Sequence, residues 1–338
     1  MKPLVFYSLK RLALIPISLA VLATGAFALV SMIPGNPGAT ILGDFATPTD
    51  IARIDHALGV DRPFLSRYWL YMSHLLHGHL GSSFYTNQPV LNQLLGFLPN
   101  TIELVVAALL VALVIGSTVG AAAAYFRRRL PDRLARFFIG VAQAVPDFVL
   151  GLVLIFCFFH LLNLAPAPTG RLAPTEQEPR TITHFLIVDC ILSGKFGLLW
   201  SALSHLVLPA LTLGLVYSAY FAKTVRATMA SALGSAQVEF ARACGLSERR
   251  VVYYAFLESR TAVMTYFAVL FGSLLGGEAI VEIVFSWPGA GQWALQSMLK
   301  NDVPVVEGFI LAVGLVTLIS YVVLDVAVAA LDPRVSRG

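Results

Sequence analysis

Charge is scarce in this chain. Asp, Glu, Lys and Arg make up only 12% of its 338 residues, about half the roughly 25% of an ordinary soluble domain, which argues against a pair of soluble domains. Cysteine is sparse too: Cys157, Cys190 and Cys244 are an odd number without metal-ligand spacing. They are expected in a span, an outer loop and a charged inner loop, so no intrachain disulfide is expected, and Cys244 reads as a small buried residue. Nucleotide-binding loops are missing. The nearest string, Ser193-Gly194-Lys195-Phe196, lacks the upstream glycine and the hydroxyl, which excludes ATP hydrolysis by that device. With no H-E-x-x-H or G-x-S-x-G pattern either, an intramembrane enzyme has no nucleophile to work with.

What the chain does have is hydrocarbon. Hydrophobic residues are 57% of it and the mean hydropathy is +0.78, the composition of an integral membrane protein. The apolar runs predict six helical spans: Leu12 to Ile33, Pro99 to about Phe126, Phe137 to Leu162 interrupted at Pro146-Asp147, Ala202 to Phe221, Thr261 to Phe285, and Val305 to Ala330. Ala26-Phe27-Ala28 resembles a signal cleavage site, but the apolar run continues past it, so an uncut first span is expected. Pro34-Gly35-Asn36-Pro37 stops that span. The expected organisation is a start and first span over 1–33, a small extracytoplasmic lobe over 34–98 with helices at Thr49–Leu58 and Arg62–Leu76, and a transmembrane core over 99–338. Gly116, Gly120 and several alanines in the second span permit close helix packing.

The pI near 9.0 would suit a nucleic-acid binder, yet the basic residues are scattered beside apolar runs, as topology signals are. With both termini inside, 16 of the 23 Lys and Arg fall on the inner side, among them Arg127, Arg128, Arg129, Arg133 and Arg136. The ratio predicts cytoplasmic termini and no nucleic-acid partner.

Between spans four and five lies Val238 to Leu257, a charged island with Glu239, Arg242, Glu248, Arg249 and Arg250. Each charge would cost about 2.5–3.5 kcal/mol at the centre of a membrane helix, so the island belongs in water or against protein. Gly245 divides it into two short helical pieces. Within the spans, Asp147 follows Pro146 and is a candidate pathway residue; the alternative is a carboxylate paired inside the bundle. Asp325 reads as an anchor near the inner end or as the partner of a basic residue. Glu278 and Glu282, one turn apart near the outer end of span five, read either as guards of a pathway mouth or, preferably, as solvated interfacial acids. His74, His77 and His79 read as loop and helix histidines rather than a metal site.

Ile33-Pro34-Gly35-Asn36-Pro37, His77-Gly78-His79-Leu80-Gly81-Ser82, Pro99-Asn100-Thr101-Ile102-Glu103-Leu104 and Pro166-Ala167-Pro168-Thr169-Gly170-Arg171 resemble the membrane permease subunits of dipeptide, oligopeptide and nickel ATP-binding-cassette importers. So do Glu239-Phe240-Ala241-Arg242-Ala243-Cys244-Gly245-Leu246, Phe285-Ser286-Trp287-Pro288-Gly289-Ala290-Gly291 and Asp332-Pro333-Arg334. The resemblance spans nearly the whole chain. It implies an all-α fold of the type I importer permease kind in the bacterial inner membrane. It also implies a second homologous permease, two ATPase subunits and an extracytoplasmic solute-binding protein as partners in the lipid bilayer. No cofactor belongs to this chain on that reading; ATP and Mg sit on the ATPases. Glu239, Arg242, Ala243, Gly245 and Leu246, in a cytoplasmic loop over 230–260, would couple to an ATPase. Asp147 and Pro146 would line the pathway, and Trp287, Pro288, Gly289, Glu278 and Glu282 would form an outer gate or docking element. A nickel or metal-chelate permease and a non-transporting membrane scaffold remain as alternatives. The chain departs from the family pattern at Glu258-Ser259-Arg260-Thr261-Ala262-Val263 and, in place of an alanine-rich start of the loop, at Val238-Glu239-Phe240, which bears on how an ATPase is engaged.

Overall fold

The computed structural model describes residues 2–32, 37–42, 47–59 and 61–331. These residues form helices without a named strand; one isolated bridge pairs Ser82 with Pro89. In order they are α1 (Lys2–Ser31), α2 (Pro37–Leu42), α3 (Pro48–Leu58), α4 (Phe64–Leu76), α5 (Val90–Tyr125), α6 (Leu130–Ala144) and α7 (Asp147–Leu154), which continues as a π-helical turn over Ile155–Leu161. Then come α8 (Leu186–Leu192), α9 (Phe196–Leu233), α10 (Ala236–Ala243), α11 (Glu248–Leu257), α12 (Arg260–Gly277), α13 (Ala279–Val284), α14 (Ala290–Leu299) and α15 (Val303–Leu331). Five helices, α1, α5, α9, α12 and α15, are long and apolar enough to cross a membrane, and α6 with α7 makes a sixth when the bent pair is counted as one broken span.

The centre is the parallel pair α5 and α9. Small residues bring their backbones together, as the glycine spacing predicts: a Cβ on Gly116 would meet Phe221 and the Ser218 carbonyl, and one on Gly120 would meet the Ala222 carbonyl. With lipid on the outside there is no hydrophobic drive between spans, so such close approach is what gains dispersion contacts. Leu104, Leu109, Leu213 and Phe221 in this seam are fully buried. At 1.5 Å per residue the 38 residues of α9 extend about 57 Å, well past a hydrocarbon core of about 30 Å.

Several boundaries differ from the sequence expectation. The second span does not start at Pro99: α5 begins nine residues earlier, and Pro99 lies buried within it. Membrane helices tolerate an internal proline. The third span is no interrupted rod, because α6 and α7 meet at 102° across Val145-Pro146. The fifth span ends at Gly277 rather than Phe285, and a separate α13 follows. The proline-rich turn at 34–36, the 332–334 ending and the side chain of Asp325 lie outside the described residues.

The two ends of the bundle are distinct. At one, α4 rests on α1 through Phe27, whose ring lies 5.2–5.5 Å from Phe64, Tyr68 and Tyr71. The loop after α4 is tied to the start of α15: Ser83 Oγ donates to Asp302 Oδ2 at 2.5 Å and the Phe84 N–H to Oδ1 at 3.0 Å. This lobe end also carries the 163–199 segment and α14. At the opposite, island end, the buried Asp132 clamps α6 to α9 by accepting from Arg226 Nε at 2.7 Å and the Arg128 N–H at 3.1 Å.

Candidate functional sites at the two ends of the bundle

At the island end the charged stretch folds as a helical hairpin. Ser235 caps α10, its hydroxyl accepting from the Val238 N–H at 3.4 Å, as expected of an N-cap serine. Gly245 ends that helix in the left-handed region (φ +77°), and the Leu246 N–H returns to the Ala241 carbonyl at 3.1 Å, a C-terminal cap that favours glycine. Val238, Val251 and Ala255 turn inward, and Ala255 packs with Ala124 and Met229 at the foot of α5 and α9.

The outward face holds most of what the sequence proposed there. Glu239, Arg242, Ala243 and Gly245 are exposed and Leu246 is half-buried. Arg242 Nε pairs with Glu248 Oε1 at 2.8 Å across the bend, and this partner raises the Arg242 pKa above its ordinary value. Cys244 corrects its expectation: it is exposed, because the residue just before a left-handed glycine at a hairpin tip has nothing above it. Sequence reasoning also missed Phe240, Tyr253 and Tyr254, which are 71%, 58% and 54% exposed. Their signal was available, since large aromatics in a water-side hairpin are odd unless they have somewhere to go. Aromatics and arginines together are the residues protein interfaces favour.

At the lobe end the Ser286-to-Gly291 turn wraps a buried carboxylate. Glu282 is 0% and Glu278 5% exposed, which corrects the reading of both as solvated interfacial acids. Glu282 accepts from Thr101 Oγ1 at 2.6 Å and from the Gln292 N–H at 2.6 Å, while Thr101 Oγ1 in turn accepts from the Ala290 N–H at 2.8 Å. The carboxylate thus satisfies backbone donors at the start of α14, where a negative charge also suits the helix dipole. Gly289 lies directly over it; a Cβ there would fall on the carboxylate itself. Trp287 is 2% exposed, and its indole N–H donates to the Asn100 carbonyl at 2.9 Å. Pro288 is half-buried, its carbonyl accepting from the Asn100 amide at 2.6 Å. These residues brace α5 against α13 and α14.

Asp147 sits half-buried at the start of α7, and exposed Pro146 precedes it at the bend. Asp147 comes near enough to Glu278 for the two carboxylates to interact electrostatically, and Glu278 Oε1 accepts from Tyr217 Oη of α9 at 2.9 Å. The sequence treated Asp147 and Glu278 separately; the length of chain between them hid their proximity. Among the described residues no group of three or more metal-ligating acids, histidines or cysteines comes together.

Residues 112–337 match the family model described as binding-protein-dependent transport system inner membrane component, and residues 4–105 match its N-terminal companion. The chain belongs to this family. It is 36% identical over 313 residues to a probable D,D-dipeptide transport system permease of Escherichia coli K12, covering 92% of each chain. It is 33% identical over 330 residues to a dipeptide transport system permease of Alkalihalophilus pseudofirmus, covering 97% of this chain and 98% of that one. A glutathione transport system permease of Salmonella typhimurium is 31% identical over 332 residues, covering 97% and 98%. The all-α multi-span architecture is therefore that of an inner-membrane transport permease.

Proposed function

We propose that this chain is a permease subunit of an ATP-driven importer and forms half of the translocation pathway for di- and oligopeptides across a bacterial inner membrane. The observation that carries the reading is the α10–α11 hairpin. It stands beyond the end of the spans with Phe240, Tyr253, Tyr254, Arg249 and Arg250 exposed, the composition of a surface that another protein covers. The names of the relatives supply the substrate class. On this reading both termini and the hairpin are cytoplasmic, the 34–98 lobe faces outward, and residues from 99 onward make the transport core.

An ATPase subunit would sit on the hairpin, engaged by Glu239, Arg242, Ala243, Gly245 and Leu246. The chain would perform no hydrolysis itself; ATP and Mg would belong to two ATPase partners. A second permease would complete the pathway and a solute-binding protein would dock at the lobe end. Asp147 and Pro146, at the bend, would face the pathway. Glu278, Glu282, Trp287, Pro288 and Gly289 would act as the rigid outer hinge of a gate, in keeping with their burial.

The test is co-expression with ATPase subunits followed by uptake into proteoliposomes, with peptides and nickel chelates compared. ATPase co-purification and peptide-dependent uptake are expected. A subunit that recruits no ATPase overturns the importer reading, and uptake of chelates without peptides overturns the substrate.

A further inference from the structure

Arg171 sits at the lobe end with its side chain 6% exposed, an unusual depth for an arginine. Three of its neighbours are carboxylates, and two of these are already engaged. Glu103 Oε1 accepts from the Ile187 N–H at 2.9 Å, and its other oxygen is 3.9 Å from Arg171 Nη1. Asp189 accepts from Thr183 N–H and Oγ1 at 2.8 and 2.7 Å and from the Ile182 N–H at 3.2 Å. Burial raises the Asp189 pKa, but the hydrogen bonds from Thr183 and Ile182 outweigh it and hold the carboxyl below its ordinary value.

The third, Glu178, is different. Its side chain is 59% exposed, and it reaches Arg171 through a single contact, Oε1 to Nη2 at 2.7 Å. Arg171 Nη1 is held by Asn100 Oδ1. The third guanidinium nitrogen, Nε, is buried and has no partner. Nε and Nη2 form one edge of the guanidinium fork, the edge a carboxylate takes with both oxygens. Glu178 therefore occupies half of a two-point site, and leaving a buried cationic N–H unpaired is costly. Beside it opens a polar pocket of 270 Å³ whose walls include Phe97, Thr181, His184 and Pro288.

We propose that Arg171 and this pocket form a carboxylate-receiving site whose ligand is the terminal carboxylate of a short peptide, with Glu178 as a built-in occupant that the ligand displaces. The exchange is one carboxylate for another, so the charge of the pocket is unchanged while Nε gains an acceptor. Glu178 swings into water, where its exposure already places it. A terminal carboxylate suits a site of this size because every unblocked peptide carries one, whatever its side chains. The assignment rests on the importer reading for its ligand and for placing this face outside the membrane.

The experiment uses the full transporter, permease pair and ATPases together, in nanodiscs without binding protein. Binding of dialanine and of C-terminally amidated dialanine is followed by saturation-transfer NMR. Glu178→Gln removes the resident carboxylate at an exposed position, so folding is preserved, and dialanine affinity should rise roughly tenfold. Arg171→Lys keeps the charge but loses the fork, and dialanine binding should disappear. The amide should bind to neither variant nor to the wild type.

Equal dialanine affinity in wild type and Glu178→Gln overturns the proposal, as does amide binding as tight as that of the acid. If, in a parallel arm to which peptide-free binding protein is added, Glu178→Gln tightens its docking while dialanine affinity is unchanged, the peptide assignment is overturned in favour of an acidic side chain of that partner. Should Arg171→Lys fail to assemble, Glu178→Gln alone decides. ATPase co-purification with the wild type is scored first: its absence sinks the importer reading, whereas a silent Glu178→Gln in an assembled transporter sinks only the carboxylate site.

Discussion

Gly245 and Gly289 both sit in turns between short helices, in two of the stretches that resemble the family, and each is glycine for a reason the other lacks. At Gly245 the backbone is left-handed, φ +77°, and a Cβ would meet nothing within 4 Å. At Gly289 the backbone is ordinary, φ −96°, and a Cβ would collide with the Glu282 carboxylate. One glycine is required by conformation in open water, the other by space in the interior. The first turn can therefore be strained without disturbing the bundle. The second cannot be touched without moving the elements it joins.

The largest effect that separates them is expected at Gly289→Ala. Overpacking of this kind costs typically about 1–3 kcal/mol and sometimes more, here aggravated because the displaced group is a carboxylate holding backbone donors. The purified subunit should lose monodispersity and melt markedly earlier in detergent. A double-mutant cycle sharpens the point: Gly289→Ala and Glu282→Ala should be strongly non-additive, since the second removes the group with which the first collides. Additive losses in melting would show that the two do not meet.

Gly245→Val comes next. A left-handed conformation costs an L-residue roughly 1–2 kcal/mol, confined to the hairpin tip, so the melting temperature should barely move. Transport-coupled ATP hydrolysis should nevertheless fall severalfold. Gly245→Asn, which tolerates this conformation better, should restore most of it, while Gly289→Asn should be as damaging as Gly289→Ala. Rescue at both positions, or at neither, would erase the distinction.

A smaller effect is expected at Phe240. Truncating an exposed aromatic anchor commonly weakens a protein interface by about 2 kcal/mol, roughly thirtyfold. Phe240→Ala should weaken ATPase binding on that scale, read by titration in nanodiscs, with unaltered melting; unaltered binding would remove Phe240 from the interface. Smallest of all is Arg242→Ala. Its ion pair with Glu248 is exposed on both sides and screened by water and salt, so melting should be unchanged at any salt concentration. A salt-sensitive loss would mean that the pair, and not Gly245, fixes the bend.

The contrast also explains how far the sequence could be read. Apolar runs located each span because a membrane enforces length and hydrophobicity directly. The Gly245 bend was equally legible, being local. Glu282, by contrast, looked solvated because its exposed-looking spacing says nothing about Thr101, 181 residues away, or about Gln292, whose N–H it accepts. Pro99 looked like a helix start because proline usually marks one, whereas α5 carries it in its interior. Arg171 was counted as a charge on one side of the membrane, and its burial depends on Asn100 and Glu178, which the chain brings together only when folded. For Glu282 and Arg171 what remained hidden was a polar partner far along the chain, Thr101 for the first and Asn100 for the second.

The length of α9 has a mechanical side. It runs from Phe196, just after the segment that carries Arg171 and Asp189, to Leu233, just before the hairpin, as a single helix of 38 residues. A rod about 57 Å long that pivots at its midpoint through ten degrees carries each tip about 5 Å, in opposite directions. On the importer reading it would serve as a lever. Its midpoint is marked by Gly214, which packs so closely on Val111 of α5 that a Cβ there would collide with it. A push on the hairpin at one tip would then displace the rim at the other without any messenger between them.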